Sequence, residues 1–245
     1  MKKFIFIISL FSQLIHGQVE LLKTGNVYFA KAKYKESIEA YKKVESNNMG
    51  GFGLYSNMGR AYAFLGQDAL AILYLEKALK FSPNDELIKK DLHVIRMRVP
   101  DLVEPQESFV LSKWWNKFAG ICTPGTWATI SLIVLALIGF LFLSEKAQKG
   151  NYTKTIVSKV IIISIFIVTV LSAGYRNQQI YHNTGLIIMS GNIKIKAGPD
   201  EQSPDIIESP PGTKVYKKDH IGTWTQVVNE FGDVGWIPTK EARSI

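Results

Sequence analysis

Cysteine is almost absent from this 245-residue chain, where Cys122 stands alone. That excludes an internal disulfide framework and any zinc site built from several thiolates. Histidine is scarce as well, with four residues and no HExxH or CxxC spacing among them, so no metal-ligand pattern arises. Cys122 has neither a nearby histidine to act as its base nor a second cysteine to resolve it. Thiol chemistry therefore has no support, and no enzyme and no cofactor are expected. A concentrated basic face is also missing. The net charge is +8, but residues 18–124 carry 15 basic against 12 acidic groups and residues 176–245 carry eight of each. The excess sits beside apolar segments, at Lys2 and Lys3 and over residues 144–159. A nucleic-acid partner is thus not expected, and a membrane-orientation signal is.

What the chain has is three apolar blocks. In the first, MKKFIFIISLFSQLIHGQ, two lysines precede the run Phe4 to Ile15, and the small Gly17 follows. This is the layout of a secretory signal over residues 1–17, too short to span a bilayer comfortably. No A-x-A site is present, so an uncleaved anchor stands as the alternative. The second block, Thr126 to Leu143, has no charge and at 1.5 Å per residue reaches across ~27 Å of a hydrocarbon core. The third, Ile156 to Tyr175, is interrupted by Lys159 one turn inside its start, where a long stem can snorkel to the interface. Two transmembrane helices are expected, over 125–143 and 156–175, joined by a loop over 144–155. That connection and its edge hold Lys146, Lys149, Lys154 and Lys159, which keeps the loop cytoplasmic. Both flanking domains then lie on the far side of an inner membrane, in the periplasm, where a secretory signal would also deliver residues 18–124. In the linker segment 101–124, Phe109, Trp114, Trp115 and Phe118 stand before the second block. Two readings are open: an aromatic belt or amphipathic helix at the membrane edge, or packing beneath the preceding domain.

Shifted by 34 residues, the chain aligns with itself. Gly25 meets Gly59, Tyr28 meets Tyr62, Ala32 meets Gly66, Ile38 meets Ile72 and Tyr41 meets Leu75. Each copy reads as two helices with small residues at their crossing and large apolar ones between. Pro83 ends the second copy, and NDELIKKDLHVIRMRV adds one amphipathic helix with Leu87, Ile88, Leu92 and Ile95 on its apolar stripe. G-x-x-Y, Gly66, Ala71, Ala78 and Pro83 in the second copy resemble the tetratricopeptide repeat. The first copy departs at Ser37, Val44 and Met49. The resemblance implies a concave protein-binding groove over residues 18–100, lined by Asn26, Phe29, Asn57, Arg60, Phe64 and Lys90. Asn26 and Asn57 match members that clamp a terminal carboxylate, whereas Leu22, Leu87 and Asp91 replace the cations of that clamp, with Arg60 and Lys90 nearby to compensate. Two repeats and a cap make a short array, expected to lean on the membrane or a partner.

After Tyr175 the pattern turns to short alternating segments. Gly185 to Met189, Asn192 to Lys196, Thr213 to Tyr216, Trp224 to Val228 and Val234 to Ile237 read as five strands, separated by Gly- and Pro-rich turns. The succession NIKIKAGP, PPGTKVY, GTWTQVV and GDVGWIP resembles a bacterial SH3-type domain over residues 176–245. It implies a small all-β barrel, with Trp224 and Trp236 either lining a groove that in some members binds cell-wall peptides or packing in the core. The expected fold class is therefore multidomain: an α-helical tetratricopeptide repeat array, two transmembrane helices and a C-terminal SH3-like barrel. That order resembles the BatE family of aerotolerance operons. The resemblance implies a scaffold in a membrane complex with von Willebrand A-domain proteins, acting alongside a MoxR-type ATPase in oxygen tolerance or envelope stress. A peptidoglycan-binding sensor acting through the barrel is the second reading.

Overall fold

The computed structural model describes residues 20–47, 49–102, 109–145, 152–182 and 184–245. The expected signal segment and most of the Lys-rich loop lie outside them. Among the described residues the chain divides into two compact units, one made of 20–102 with 184–245 and the other of 109–182. The first unit is thus assembled from both sides of the apolar segment.

Its N-terminal half is a helical array: α1 (residues 20–30), α2 (Tyr34–Glu45), α3 (Phe52–Phe64), α4 (Asp68–Phe81) and α5 (Glu86–Arg96). The 34-residue symmetry holds at the level of atoms. At the α1–α2 crossing a Cβ on Gly25 would lie 2.4 Å from the Tyr41 ring, and at the α3–α4 crossing a Cβ on Gly59 would lie 2.6 Å from Leu75. Both positions require glycine because the facing side chain fills the space. The two inter-helix turns match as well. Ala32 (φ 55°) and Gly66 (φ 70°) both occupy the left-handed region, and in each turn the following amide reaches back to the equivalent tyrosine carbonyl. Lys33 N donates to Tyr28 O at 2.9 Å and Gln67 N to Tyr62 O at 3.0 Å. Glu45 links the layers, accepting from Tyr74 Oη at 2.9 Å and Lys77 Nζ at 3.0 Å. In α5, capped by Asp85 through Ile88 N, residues Ile88, Leu92 and Ile95 are buried. Leu87, expected on the same stripe, is 57% exposed. It lies one residue, roughly 100°, away from the i, i+4, i+7 line that the other three occupy.

The C-terminal half is an all-antiparallel sheet in the order β3-β2-β6-β5-β4-β1-β7. Its strands are β1 (Gly185–Ile188), β2 (Ile193–Lys196), β3 (Asp205–Ser209), β4 (Lys214–Ile221), β5 (Trp224–Val228), β6 (Val234–Pro238) and β7 (Ala242–Ser244). The five expected strands are present, but the barrel is not closed, and β3 and β7 form two edges. The two added strands lack the alternation that marks a half-buried strand. β3 exposes four of its five residues, and β7 has only three. The far end of β4, KKDHI, is likewise exposed. Hydrogen bonding to a neighbour holds these segments extended where side-chain burial gives no signal.

β1 decides where the sheet sits. Its successive residues Ile187 and Ile188 are both fully buried, on opposite faces. Ile188 joins Ile195, Val215, Val227 and Ile237 in the core of the sheet. Ile187, with Met189 and Ile245, joins the core of the helical array. Gly212 (φ 88°) comes so close to α4 that a Cβ there would meet Ile72 Cδ1 at 2.6 Å. One turn further along α4, the buried Glu76 pairs with Arg96 of α5 at 2.5 Å and with Lys214 of β4 at 2.7 Å. A further turn on, Lys80 Nζ donates to the carbonyl of Ile245 at 2.9 Å. The short array therefore leans on the chain's own sheet, where a membrane or partner was expected.

The second unit contains α6 (Val110–Ala119), α7 (Pro124–Glu145) and α8 (Tyr152–Tyr181). Within α7 and α8, Pro124–Leu141 and Val157–Tyr181 are long and apolar enough to cross a bilayer, with only 11% of each stretch buried. The core helix of a water-soluble domain would be mostly buried. The hydroxyls of Ser131, Ser164, Thr169 and Ser172 all donate to carbonyls three or four residues back in their own helix, as polar groups must in an apolar surround. α8 runs to Tyr181, past the expected end at Tyr175. Arg176 and Gln179 continue it, one turn apart and hydrogen-bonded at 2.6 Å.

Two outcomes follow for the first unit. Burial alone would raise the Glu76 carboxyl, but Lys214 and Arg96 outweigh it and hold the group below its ordinary 4.5. A depressed carboxyl contributes stability that is complete above the unfolded value and is lost as pH falls through the folded one. Protection of the α4 and β1 amides from hydrogen exchange, taken relative to the intrinsic rate at each pH, should therefore fall below about pH 4.5 in the detergent-solubilised full-length protein. Glu76→Gln should weaken that acid dependence and cost roughly 3–5 kcal/mol at pH 7 by leaving two buried cations unpaired. Ala32→Gly should instead stabilise the array by up to about 1 kcal/mol, because it removes a Cβ from a left-handed backbone; slower exchange of the α1 and α2 amides would record it.

Candidate functional site

The first helix of each pair and α5 carry the groove residues, and the repeat spacing brings them together in two clusters. In the first, Asn57 Nδ2 of α3 donates to Asn26 Oδ1 of α1 at 3.0 Å. The same oxygen accepts from Tyr41 Oη at 2.7 Å. Burial raises the Tyr41 phenol above its ordinary value, so it remains a protonated donor and fixes the Asn26 amide. The sequence pattern did not mark this tyrosine as a groove residue, since its ring also packs against Gly25. With Oδ1 occupied, the Asn26 amide nitrogen is the group turned to an incoming chain.

The second cluster lies one turn along α1 and two turns along α3. Phe29 and Phe64, three and seven residues beyond Asn26 and Asn57, stand edge to face with ring centres 6.1 Å apart. Tyr34 stacks on Phe64 at 4.6 Å, nearly parallel, and meets Phe29 at 5.5 Å. Phe64 is nevertheless 64% exposed. Tyr34 was missed because it follows an inter-helix turn, where helical periodicity carries no information. An aromatic shelf of this kind takes up an apolar side chain at small entropic cost, since its rings already hold one another.

Between the clusters Arg60 lies on α3, and its Nε donates to Asp91 Oδ2 of α5 at 2.7 Å. The guanidinium expected to compensate for missing clamp cations is therefore neutralised by the acidic residue that displaced one of them. Lys90, next along α5, is exposed. The arrangement suits a peptide with an apolar residue for the shelf and backbone groups for the two amides better than it suits a carboxylate clamp.

The sheet lies on the other side of the array, against α4, and leaves these residues uncovered. Its own candidate residues part company. In the β5–β6 register Trp224 pairs with Pro238 and Gln226 with Trp236, which puts both tryptophans on the face opposite the sheet core. Trp224 is half-buried and lines a shallow recess of about 550 Å³ with Ile193, Lys194, Lys196, Glu201 and Pro238. Trp236 is only 8% exposed and is not part of that lining, which is the packed one of the two roles open to it.

The Arg60–Asp91 pair is about 29% exposed on both sides and should couple weakly. A double-mutant cycle on Arg60→Ala and Asp91→Ala, read by hydrogen exchange of α3 and α5, should give a coupling of about 1 kcal/mol or less. A value well above that would mark the pair as a structural clamp of the array.

Comparison with known proteins bears on the centre of this site. No curated protein matches the chain. Residues 52–85, from the start of α3 to the cap of α5, match the family model of the tetratricopeptide repeat. The helix pair that carries Asn57, Arg60 and Phe64 is accordingly a tetratricopeptide repeat within a helical repeat array.

Proposed function

We propose that the protein is a membrane-anchored scaffold whose repeat array holds other proteins on the periplasmic side of the inner membrane. The observation that carries this reading is the exposed first-helix face of the array, with Phe64, Asn26, Asn57 and Lys90 presented outward while the opposite side is taken by the sheet. Tetratricopeptide repeats act as protein-binding modules, and a site already backed by the protein's own sheet needs no partner to be stable.

Anchoring is supported by α7 and α8, whose outward surfaces are almost wholly apolar, among them Leu132, Ile133, Phe140, Val160 and Ile161. A large apolar surface of this kind requires an apolar surround. The orientation follows from Lys146, Lys149, Lys154 and Lys159 between the spans, which hold that connection on the cytoplasmic side. Because the segments on either side of the spans belong to one compact unit, both ends of the hairpin return to the same side. That agrees with the topology that a lysine-rich connection favours. Anchoring also raises effective concentration, so individually weak groove contacts suffice. The order of repeat array, two spans and β-sheet resembles the BatE family, and on that resemblance the partners are von Willebrand A-domain membrane proteins of an aerotolerance or envelope-stress complex. The Trp224 recess, with two lysines and two glutamates beside an aromatic, favours peptidoglycan as the second ligand to be examined.

Crosslinking in intact cells, followed by purification of the tagged full-length protein, tests both readings. The scaffold reading expects a small set of membrane proteins to be recovered, and to be lost with Phe64→Ala and Lys90→Ala together. Wall fragments that survive those changes and disappear with Trp224→Ala would transfer the function to the sheet.

A further inference from the structure

α6 has three differently used sides. At roughly 100° per residue, Trp115, Asn116 and Ala119 fall on one of them, and all three are turned inward. Trp127 Nε1, in the first turn of α7, donates to Ala119 O at 2.9 Å. Asn116 Oδ1 accepts from Tyr175 Oη and, at 3.1 Å, from Gln179 Nε2, both on α8. Trp115 meets the Tyr175 ring at 6.2 Å. The helix is thus clamped to the start of one apolar helix and to the last turns of the other.

The second side is apolar and uncovered. Val110, Leu111 and Trp114, with Phe109 ahead of the helix and Ile121 beyond it, are between 64% and 78% exposed. Phe118 stacks on Trp114 at 6.0 Å and stiffens this side. The third side carries Lys113 and Lys117, and α6 has no acidic residue. A protein core would not leave five such side chains open.

We propose that α6 lies in the bilayer interface as a built-in collar, with Val110, Leu111 and Trp114 sunk among the acyl chains and Lys113 and Lys117 at the level of anionic headgroups. The occupant is lipid because the surface is continuous with the lipid-facing surface of the spans. Trp127, to which α6 is tied, is one turn inside α7, and Tyr175 and Gln179 mark the same boundary on α8. The inference rests on the spanning reading of α7 and α8. Interfacial helices combine an aromatic and aliphatic side with basic flanks in this way, and long lysine stems reach past an apolar surface to the headgroups.

The test uses full-length protein in phosphatidylcholine–phosphatidylglycerol nanodiscs. Single fluorescent labels are placed on Leu111→Cys, Trp114→Cys or Leu135→Cys in a Cys122→Ser background, and are challenged with lipid-borne nitroxide or with aqueous iodide. Leu135 lies in mid-span and is exposed on α7, so it reports the spanning reading separately. Lipid quenching severalfold stronger than iodide quenching at all three positions is expected, with the labels on α6 quenched best by shallow nitroxides. Iodide quenching at 111 and 114 with lipid quenching at 135 would overturn the collar and leave the spans standing. Protection of 111 and 114 from both quenchers would overturn it too, by showing that protein covers this face. Iodide quenching at 135 would remove the spanning reading and the collar with it.

Discussion

A largely buried carboxylate joins the two halves of the first unit. Glu76 sits on α4 of the repeat array, and its oxygens are divided between Arg96 of the array and Lys214 of the sheet. Each ion alone would be costly to bury, and together they are tolerable only in this geometry. The pairing therefore acts less as a source of stability than as a register lock. It fixes which turn of α4 faces β4, and with it the fit of Gly212 on Ile72 and of Ile187 into the repeat core. An apolar contact alone would tolerate sliding along the helix; a buried charge cannot be displaced by a turn without losing its partners.

The consequences run outward from that contact. Because the sheet occupies the α4 side, the array is left open on the side of α1, α3 and α5, where the two amides and the aromatic shelf lie. The face left open and the support of a very short array are thus consequences of one packing choice.

Much of the helical array was legible. Gly25 and Gly59 reveal the repeat because a helix crossing with Tyr41 or Leu75 has no room for a Cβ, and that spatial demand repeats at a fixed interval. Asn26 with Asn57 and Phe29 with Phe64 stand 31 and 35 residues apart, off that interval, and meet because they lie on neighbouring first helices. What escaped were pairings across the interval. Asp91 neutralises Arg60, Tyr41 orients Asn26 and Tyr34 stacks on Phe64, and in each case the partner is on another helix at a separation that no periodicity encodes. Leu87 was placed on the wrong side by one position. Trp224 and Trp236 looked equivalent in their strands, yet one is half-open and the other packed.

By itself the sequence determined the local structures: paired helices from small residues at crossings, two long helices from uncharged apolar runs, and strands from alternation ended by glycine and proline turns. Each of these signals acts over a few residues along the chain, where neighbouring side chains and backbone sterics suffice. Only the tertiary structure decided that the sheet stays open, that it buttresses the array, and that Glu76 is shared between them. Those outcomes depend on the volume and charge that residues more than a hundred positions apart present to one another, and a linear pattern carries neither.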